Sequence, residues 1–92
     1  MDTLQHRAIV PEAVITRELD GETILLNLDT GIYFGLDTVG TDMWRAIVAA
    51  GTLEDALGRV QSEYDVEPGT LRTDFVRLVD ELLAKGLLQR GE

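Results

Sequence analysis

The chain contains no cysteine. A disulfide scaffold, a thiolate metal site and a thiol nucleophile are therefore all excluded, and the fold must stand on packing alone. Lysine is almost missing too: Lys85 is the single one, and eight Lys and Arg face seventeen Asp and Glu, for a net charge of −9. Such a surface repels nucleic-acid phosphates and anionic lipid and favours cationic partners. The basic residues, Arg7, Arg17, Arg45, Arg59, Arg72, Arg77, Lys85 and Arg90, are scattered and form no stripe along one helix pattern. His6 and Ser62 are the only histidine and serine. A Ser-His triad would require those two to meet, although one lies in a polar lead-in and the other on a helix pattern. No apolar run approaches the roughly 18 residues of a membrane span. The opening MDTLQHRAIVPE lacks the basic start and long apolar stretch of a signal peptide. The expectation is a cytoplasmic protein of one small domain over residues 1–92, near the lower end of what buries an adequate core unaided.

What is present is organised around Thr23 to Trp44, which reads as two strands, a tight turn and a helix start. Ile24, Leu26 and Leu28 alternate with Thr23, Leu25 and Asn27, the period of a half-buried strand. Ile32, Phe34 and Leu36 alternate with Tyr33 and Gly35 in the next. Asp29-Thr30-Gly31 between them suits a three-residue hairpin loop closed by Gly31 in the left-handed conformation. This predicts the pairs Leu28–Ile32, Leu26–Phe34 and Ile24–Leu36, with all six apolar residues on the core face. Upstream, residues 1–12 read as a loosely held lead-in, and Ala13 to Leu19 as a first strand turning at Asp20-Gly21. The result is a three-stranded antiparallel meander whose third strand has an open edge unless a later strand joins it.

Three helices follow, making the fold α+β. Asp37 or Thr38 caps the first, with Val39, Met43, Trp44, Ile47 and Val48 at helical spacing until Gly51. Thr52, with Asp55 three residues on, opens the second, whose stripe is Leu53, Ala56, Leu57, Val60 and Tyr64. Pro68 starts the third, which runs to about Lys85 and closes at Gly86. Its apolar residues Leu71, Phe75, Val76, Leu78, Val79, Leu82 and Leu83 cover an arc of roughly 160°, wider than a core-facing helix needs, so one flank is left for another use. Leu87-Leu88 adds a short extended tail.

Motifs for catalysis are sparse. Asp29-Thr30-Gly31 invites comparison with the loop of aspartic proteases. Those subunits are nearly all β, however, whereas residues 37–85 read as helix, and the triplet is what a bulged turn selects anyway. Asp29, Asp37 and Asp42 fall near one end of the sheet, yet a helix cap and an acidic first turn explain the last two, so no metal is called for. Gly31, Gly35 and Gly40 lack the spacing of a phosphate loop, and no cofactor is implied. Tyr33 falls on the face opposite Ile32 and Phe34, as a cross-strand partner of Asn27 or Leu25 or as a binding residue. The acidic group Glu63, Asp65, Glu67 and Asp74 brackets the start of the third helix, as a solvated face or as a receiver of a partner's lysines.

An antiparallel meander with three helices is compatible with a winged helix-turn-helix, but the charge argues against nucleic acid. Capture of an extended peptide suits the shape better: an open strand edge offers backbone groups and an apolar helix flank offers pockets. The residues LLNLDTGIYFGLDTVGTDMW and YDVEPGTLRTDFVRLVDELLAKGLL resemble the coenzyme PQQ synthesis protein D family, recognition elements for ribosomally made, post-translationally modified peptides. The similarity covers about residues 13–88, and the LNLDTGIYFGL form is most like the stand-alone proteins of lasso-peptide pathways.

The resemblance implies a non-enzymatic protein that binds a precursor's leader and presents it to a separate transglutaminase-like leader peptidase, with the lasso cyclase as a further candidate partner. It further implies a leader added to the third strand, where Gly31, Ile32, Tyr33, Phe34, Gly35 and Leu36 supply backbone pairing and Ile32 and Phe34 part of the groove floor. Leu71, Phe75 and Leu78 would form the wall, with Asp74 beside them for a leader lysine or arginine. The alternatives are a PQQ or other modified-peptide pathway within the family and, from different classes, a winged-helix nucleic-acid-binding protein or a small hydrolase.

Overall fold

In the computed structural model, which describes residues 4 and 6–91, eight elements follow one another. They are β1 (Arg7–Ile9), β2 (Val14–Leu19), β3 (Glu22–Asn27), β4 (Tyr33–Leu36), α1 (Thr38–Ala49), α2 (Leu53–Glu63), α3 (Pro68–Ala84) and β5 (Gln89–Gly91). Strands β2, β3 and β4 form the expected antiparallel meander in that order, with α1 packed against β3 and β4 and α2 packed between α1 and α3. Residues 7–9, inside the stretch expected to be a loose lead-in, instead pair with β5 in a separate two-stranded ribbon. Apolar anchors explain the difference. Leu4, Leu87 and Leu88 are each buried, and the Leu53 amide donates to the His6 carbonyl at 3.2 Å, so both flanking segments are drawn onto the core.

The helix signals act where the residue types place them. The Asp37 carboxylate caps α1 by accepting from the Gly40 amide at 2.8 Å, and the Thr52 hydroxyl caps α2 by accepting from the Asp55 amide at 3.1 Å. Pro68 occupies the first turn of α3. Met43, Trp44 and Ile47 of α1 are buried, whereas Val39 and Val48, expected on the same stripe, are exposed at the stripe's margins. At Gly40 a Cβ would come within 3.2 Å of Asp37 Oδ1 and 3.3 Å of Leu36 Cδ2, so the missing side chain lets α1 leave β4 in a tight corner.

The β3–β4 hairpin differs from expectation by one residue of register. Its pairs are Thr23–Leu36, Ile24–Gly35, Leu25–Phe34 and Leu26–Tyr33, not Leu26–Phe34 and Ile24–Leu36. The Asn27 amide donates to the Ile32 carbonyl at 2.9 Å, so the loop spans residues 28–31, with Gly31 left-handed at φ 74° as its type requires. A one-residue slip exchanges the faces of a strand. Consequently Thr23, Leu25 and Asn27 face the core, while Ile24 and Leu28 stand outward, 54% and 61% exposed. Asn27 is tolerated inside because its side chain is satisfied: Oδ1 accepts from the Asp29 and Thr30 amides at 2.9 and 3.3 Å, and Nδ2 donates to the Gly86 carbonyl at 2.8 Å. On β4, Phe34 and Leu36 point inward as read from the sequence.

A candidate peptide-binding groove

Strand β4 is bonded to β3 alone, since β5 joins β1, and its second edge is open among the described residues. Alternation in an antiparallel ladder determines which backbone groups that edge offers. The bond from the Asn27 amide to the Ile32 carbonyl puts the hydrogen-bonded pairs at Asn27–Ile32, Leu25–Phe34 and Thr23–Leu36. Tyr33 and Gly35 therefore turn their N–H and C=O groups away from β3, toward the open edge.

Beside that edge runs a groove of about 480 Å³ between β4, the start of α1 and one flank of α3. Phe34, Gly35 and Leu36 line it from the strand, and Val39, Gly40 and Met43 from the first turns of α1. Asp74, Arg77, Leu78 and Glu81 close it from α3. These α3 positions are spaced by three and four residues, which puts them on one face of the helix. The floor is apolar and the rim charged. Outside the groove lining, Lys85 Nζ stands 5.6 Å from the centre of the Phe34 ring, a cation–π contact. Asp37, Asp74 and Glu81 make the rim largely acidic, and its one cation, Arg77, lies 3.8 Å from Asp74. Both members of that pair are more than half exposed, so their mutual attraction is weak and either is available to a ligand.

Of the residues singled out from the sequence, the structure brings Phe34, Gly35, Leu36, Asp74 and Leu78 together around this groove. Gly31 and Ile32 sit at the loop end of the strand, exposed and outside the groove lining. Tyr33 is 74% exposed on the opposite sheet face and pairs with Leu26, neither Leu25 nor Asn27. Leu71 and Phe75 do not form the wall: they are 5% and 0% exposed, within the core under the groove. The lining on α3 lies one turn further along, centred on Leu78. Sequence reasoning missed Arg77 and Glu81 because the wall was centred on Phe75, the helix's largest apolar residue. It missed Val39 because that residue falls on the core stripe of α1.

A second polar cluster joins α1 to its neighbours. Arg45 bonds Glu18 of β2 and lies 3.6 Å from Asp42, while the Tyr64 hydroxyl donates to Asp42. That hydrogen bond, then burial, pushes the Tyr64 phenol up to about 12, and the bond to Glu18 raises the Arg45 guanidinium further above its usual value. The cluster ties α1 to β2 through Arg45 and Glu18 and to the end of α2 through Asp42 and Tyr64. The Ser62 hydroxyl is engaged with the Arg59 carbonyl at 2.7 Å. Among the described residues no group of three or more His, Asp or Glu side chains is arranged to hold a metal ion, and no helix is long and apolar enough to cross a membrane.

The same architecture occurs in solved structures. The structure of TbiB1 in complex with the TbiA(beta) leader peptide is 34% identical, with a TM-score of 0.79 over 87% of this chain and 93% of that one. A lasso peptide synthetase B1 complexed with the leader peptide shares the fold at 20% identity, with a TM-score of 0.77 over 90% of this chain and 98% of that one. No curated protein matches the chain. The sequence profile described as coenzyme PQQ synthesis protein D (PqqD) matches residues 22–88, from the start of β3 through all three helices to the buried Leu88. Sharing that profile and this fold, the chain belongs to the PqqD family.

Proposed function

We propose that the protein binds the leader of a ribosomally synthesised, post-translationally modified peptide precursor, of the lasso-peptide type, and presents it to a separate transglutaminase-like leader peptidase without chemistry of its own. The observation that carries this reading is the open edge of β4, with outward backbone groups at Tyr33 and Gly35, lying against an apolar-floored groove. The likeness to TbiB1, a protein solved with a leader peptide at 34% identity, supports it. In this reading the leader adds as an antiparallel strand to β4. Alternate side chains enter the groove over Phe34, Met43 and Leu78, and a leader lysine or arginine meets Asp74.

Magnitudes show which part dominates. Tyr33 and Gly35 offer two N–H and two C=O groups, and net gains of roughly 0.5–1.5 kcal/mol each give about 2–6 kcal/mol. Micromolar binding needs about 8 kcal/mol beyond the ordering costs. Burial of apolar leader side chains must supply the remainder: a single buried aromatic covers roughly 150–250 Å², and at about 25 cal/mol per Å² that is worth about 4–6 kcal/mol. The ladder sets direction and register, and the groove sets affinity. The test is titration of the precursor encoded in the same pathway, followed by mass spectrometry. Saturable binding with an unchanged peptide mass is expected, and an alanine scan of the leader should find one or two apolar anchors. Cleavage by the purified protein alone would overturn the adaptor reading.

A further inference from the structure

The sheet has a second open edge. Strand β2 is bonded to β3 alone, and the Leu28 amide, donating to the Ala13 carbonyl at 2.9 Å, fixes the alternation of that ladder. Ile15 and Arg17 bond to β3, so Thr16 and Glu18 turn their N–H and C=O groups outward, where no described residue meets them. Beside them a groove of about 380 Å³ runs between β2 and α1. Val10, Val14, Trp44 and Val48 make it apolar, and Glu18 and Arg45, bonded to each other, stand at its rim. The groove exists because α1 packs against β3 and β4 and leaves β2 projecting past it. Thr16 and Glu18 are exposed although alternation puts them on the helix side with the buried Val14, and Val48 is 58% exposed at the margin of the α1 stripe.

We propose that the β2 edge is a second strand-addition site, for an extended peptide with apolar residues at alternate positions and a basic residue among them, and that its occupant is a second molecule of the leader. The inference rests on the proposed leader binding at β4. Both edges present two residues with outward backbone groups, an apolar floor drawn partly from α1, and an acidic border. At β2 that border is Glu12, Glu18 and Asp20 against Arg17, since Arg45 is already held by Glu18 and Asp42. Chemistry that recognises the first edge therefore recognises the second. Charge excludes a second copy of this chain as the occupant. Two β2 strands joined antiparallel with Thr16 opposite Thr16 would set Glu12 opposite Asp20 twice, and with Thr16 opposite Glu18 would set Arg17 opposite Arg17, on chains of net charge −9. The β2 site is the weaker of the two, because its groove is smaller, about 380 against 480 Å³, and Glu18 shares its charge with Arg45.

The test titrates the full chain with the synthetic leader of the same pathway well past one equivalent, following amide exchange and the emission of Trp44. That residue is the only tryptophan, and it lines the β2 groove and not the β4 groove. The first equivalent should protect Tyr33 and Gly35. A second phase, roughly tenfold weaker, should protect Thr16 and Glu18 and shift the Trp44 emission, while Ile15 and Arg17 are slow throughout. Thr16→Pro removes an outward N–H and no bond to β3, a place where an edge strand tolerates proline. Val48→Lys puts a cation into the groove from an exposed helix position. Each should weaken the second phase at least tenfold and leave the first within about twofold of wild type. Saturation at one equivalent with Thr16 and Glu18 unprotected would overturn the proposal alone, as would a second phase that neither variant alters. Protection of Thr16 and Glu18 without Tyr33 and Gly35 would overturn leader binding at β4 and uphold the β2 edge as the site; protection at neither edge would overturn both. A peptide-free dimer in sedimentation that Thr16→Pro converts to monomer would overturn the proposal in favour of a second copy.

Discussion

Replacement of Asn27 by alanine tests the contact that joins the two sides of the groove. Asn27 ends β3, next to the strand that forms the groove edge, and its Nδ2 bonds the Gly86 carbonyl just beyond α3, which forms the wall. The substitution leaves the half-buried Gly86 carbonyl without this partner, a loss of about 1–3 kcal/mol with the lower part of the range applying where water can reach it. It also removes the acceptor for the Asp29 and Thr30 amides, of which only the 2.9 Å bond to Asp29 is short enough to count fully, adding about 1 kcal/mol. The expected destabilisation is therefore about 2–4 kcal/mol, a large part of the roughly 5–15 kcal/mol that holds a domain folded. Urea denaturation monitored through Trp44, which is buried on α1, reads it directly. For a domain of this size the slope is about 1–1.5 kcal/mol per molar urea, so the midpoint should fall by about 2 M. Asn27→Asp separates the two halves: it keeps the acceptor for the loop but turns a carboxylate toward the Gly86 carbonyl, so it should be destabilised at neutral pH and partly recover on acidification. A midpoint shift under about 0.3 M for Asn27→Ala would refute the reasoning, because the buried register would then owe little to this side chain.

In amide hydrogen exchange, addition of leader peptide should protect Tyr33 and Gly35, whose N–H groups face the open edge, while Phe34 and Leu36 are already slow in the free protein. Protection confined to α1 and α2 would rule out strand addition to β4. Asp74→Lys should weaken binding of a basic leader by a few fold and reduce its salt dependence, a modest effect because Asp74 is about half exposed. An unchanged, salt-independent affinity would remove charge from the account. The Tyr64 phenol is raised from 10.0 to about 12 in the folded chain. Its contribution is therefore fully present below pH 10 and is lost as pH climbs through 12. Tyr64→Phe should be less stable than wild type at neutral pH and lose less on going to alkaline pH. Parallel stability curves for the two proteins from pH 9 to 12 would contradict the hydrogen bond to Asp42.

Local chemistry sufficed for the elements that depend on neighbours in the chain. Asp37 and Thr52 cap helices, Pro68 opens one, and Gly31 closes a hairpin because each supplies a group or backbone angle needed within a few residues. The order of strands and helices, and the open edge of β4, follow from turns equally local. The register of β3 is different in kind. Its run ILLNL is apolar on both alternating faces, so periodicity admits two answers, and the neater one, with Ile24, Leu26 and Leu28 inside, is not adopted. What decides is a hydrogen bond to Gly86, 59 residues along the chain, which satisfies Asn27 in the interior and turns the larger apolar set outward. The β1–β5 ribbon is likewise invisible locally, because segments of three residues become strands only when Leu4, Leu87 and Leu88 are anchored on a core that the rest of the chain builds. The groove wall follows the same rule. The sequence shows that α3 is apolar over too wide an arc, but only helix packing decides that Leu71 and Phe75 go into the core and Asp74, Arg77, Leu78 and Glu81 face the groove.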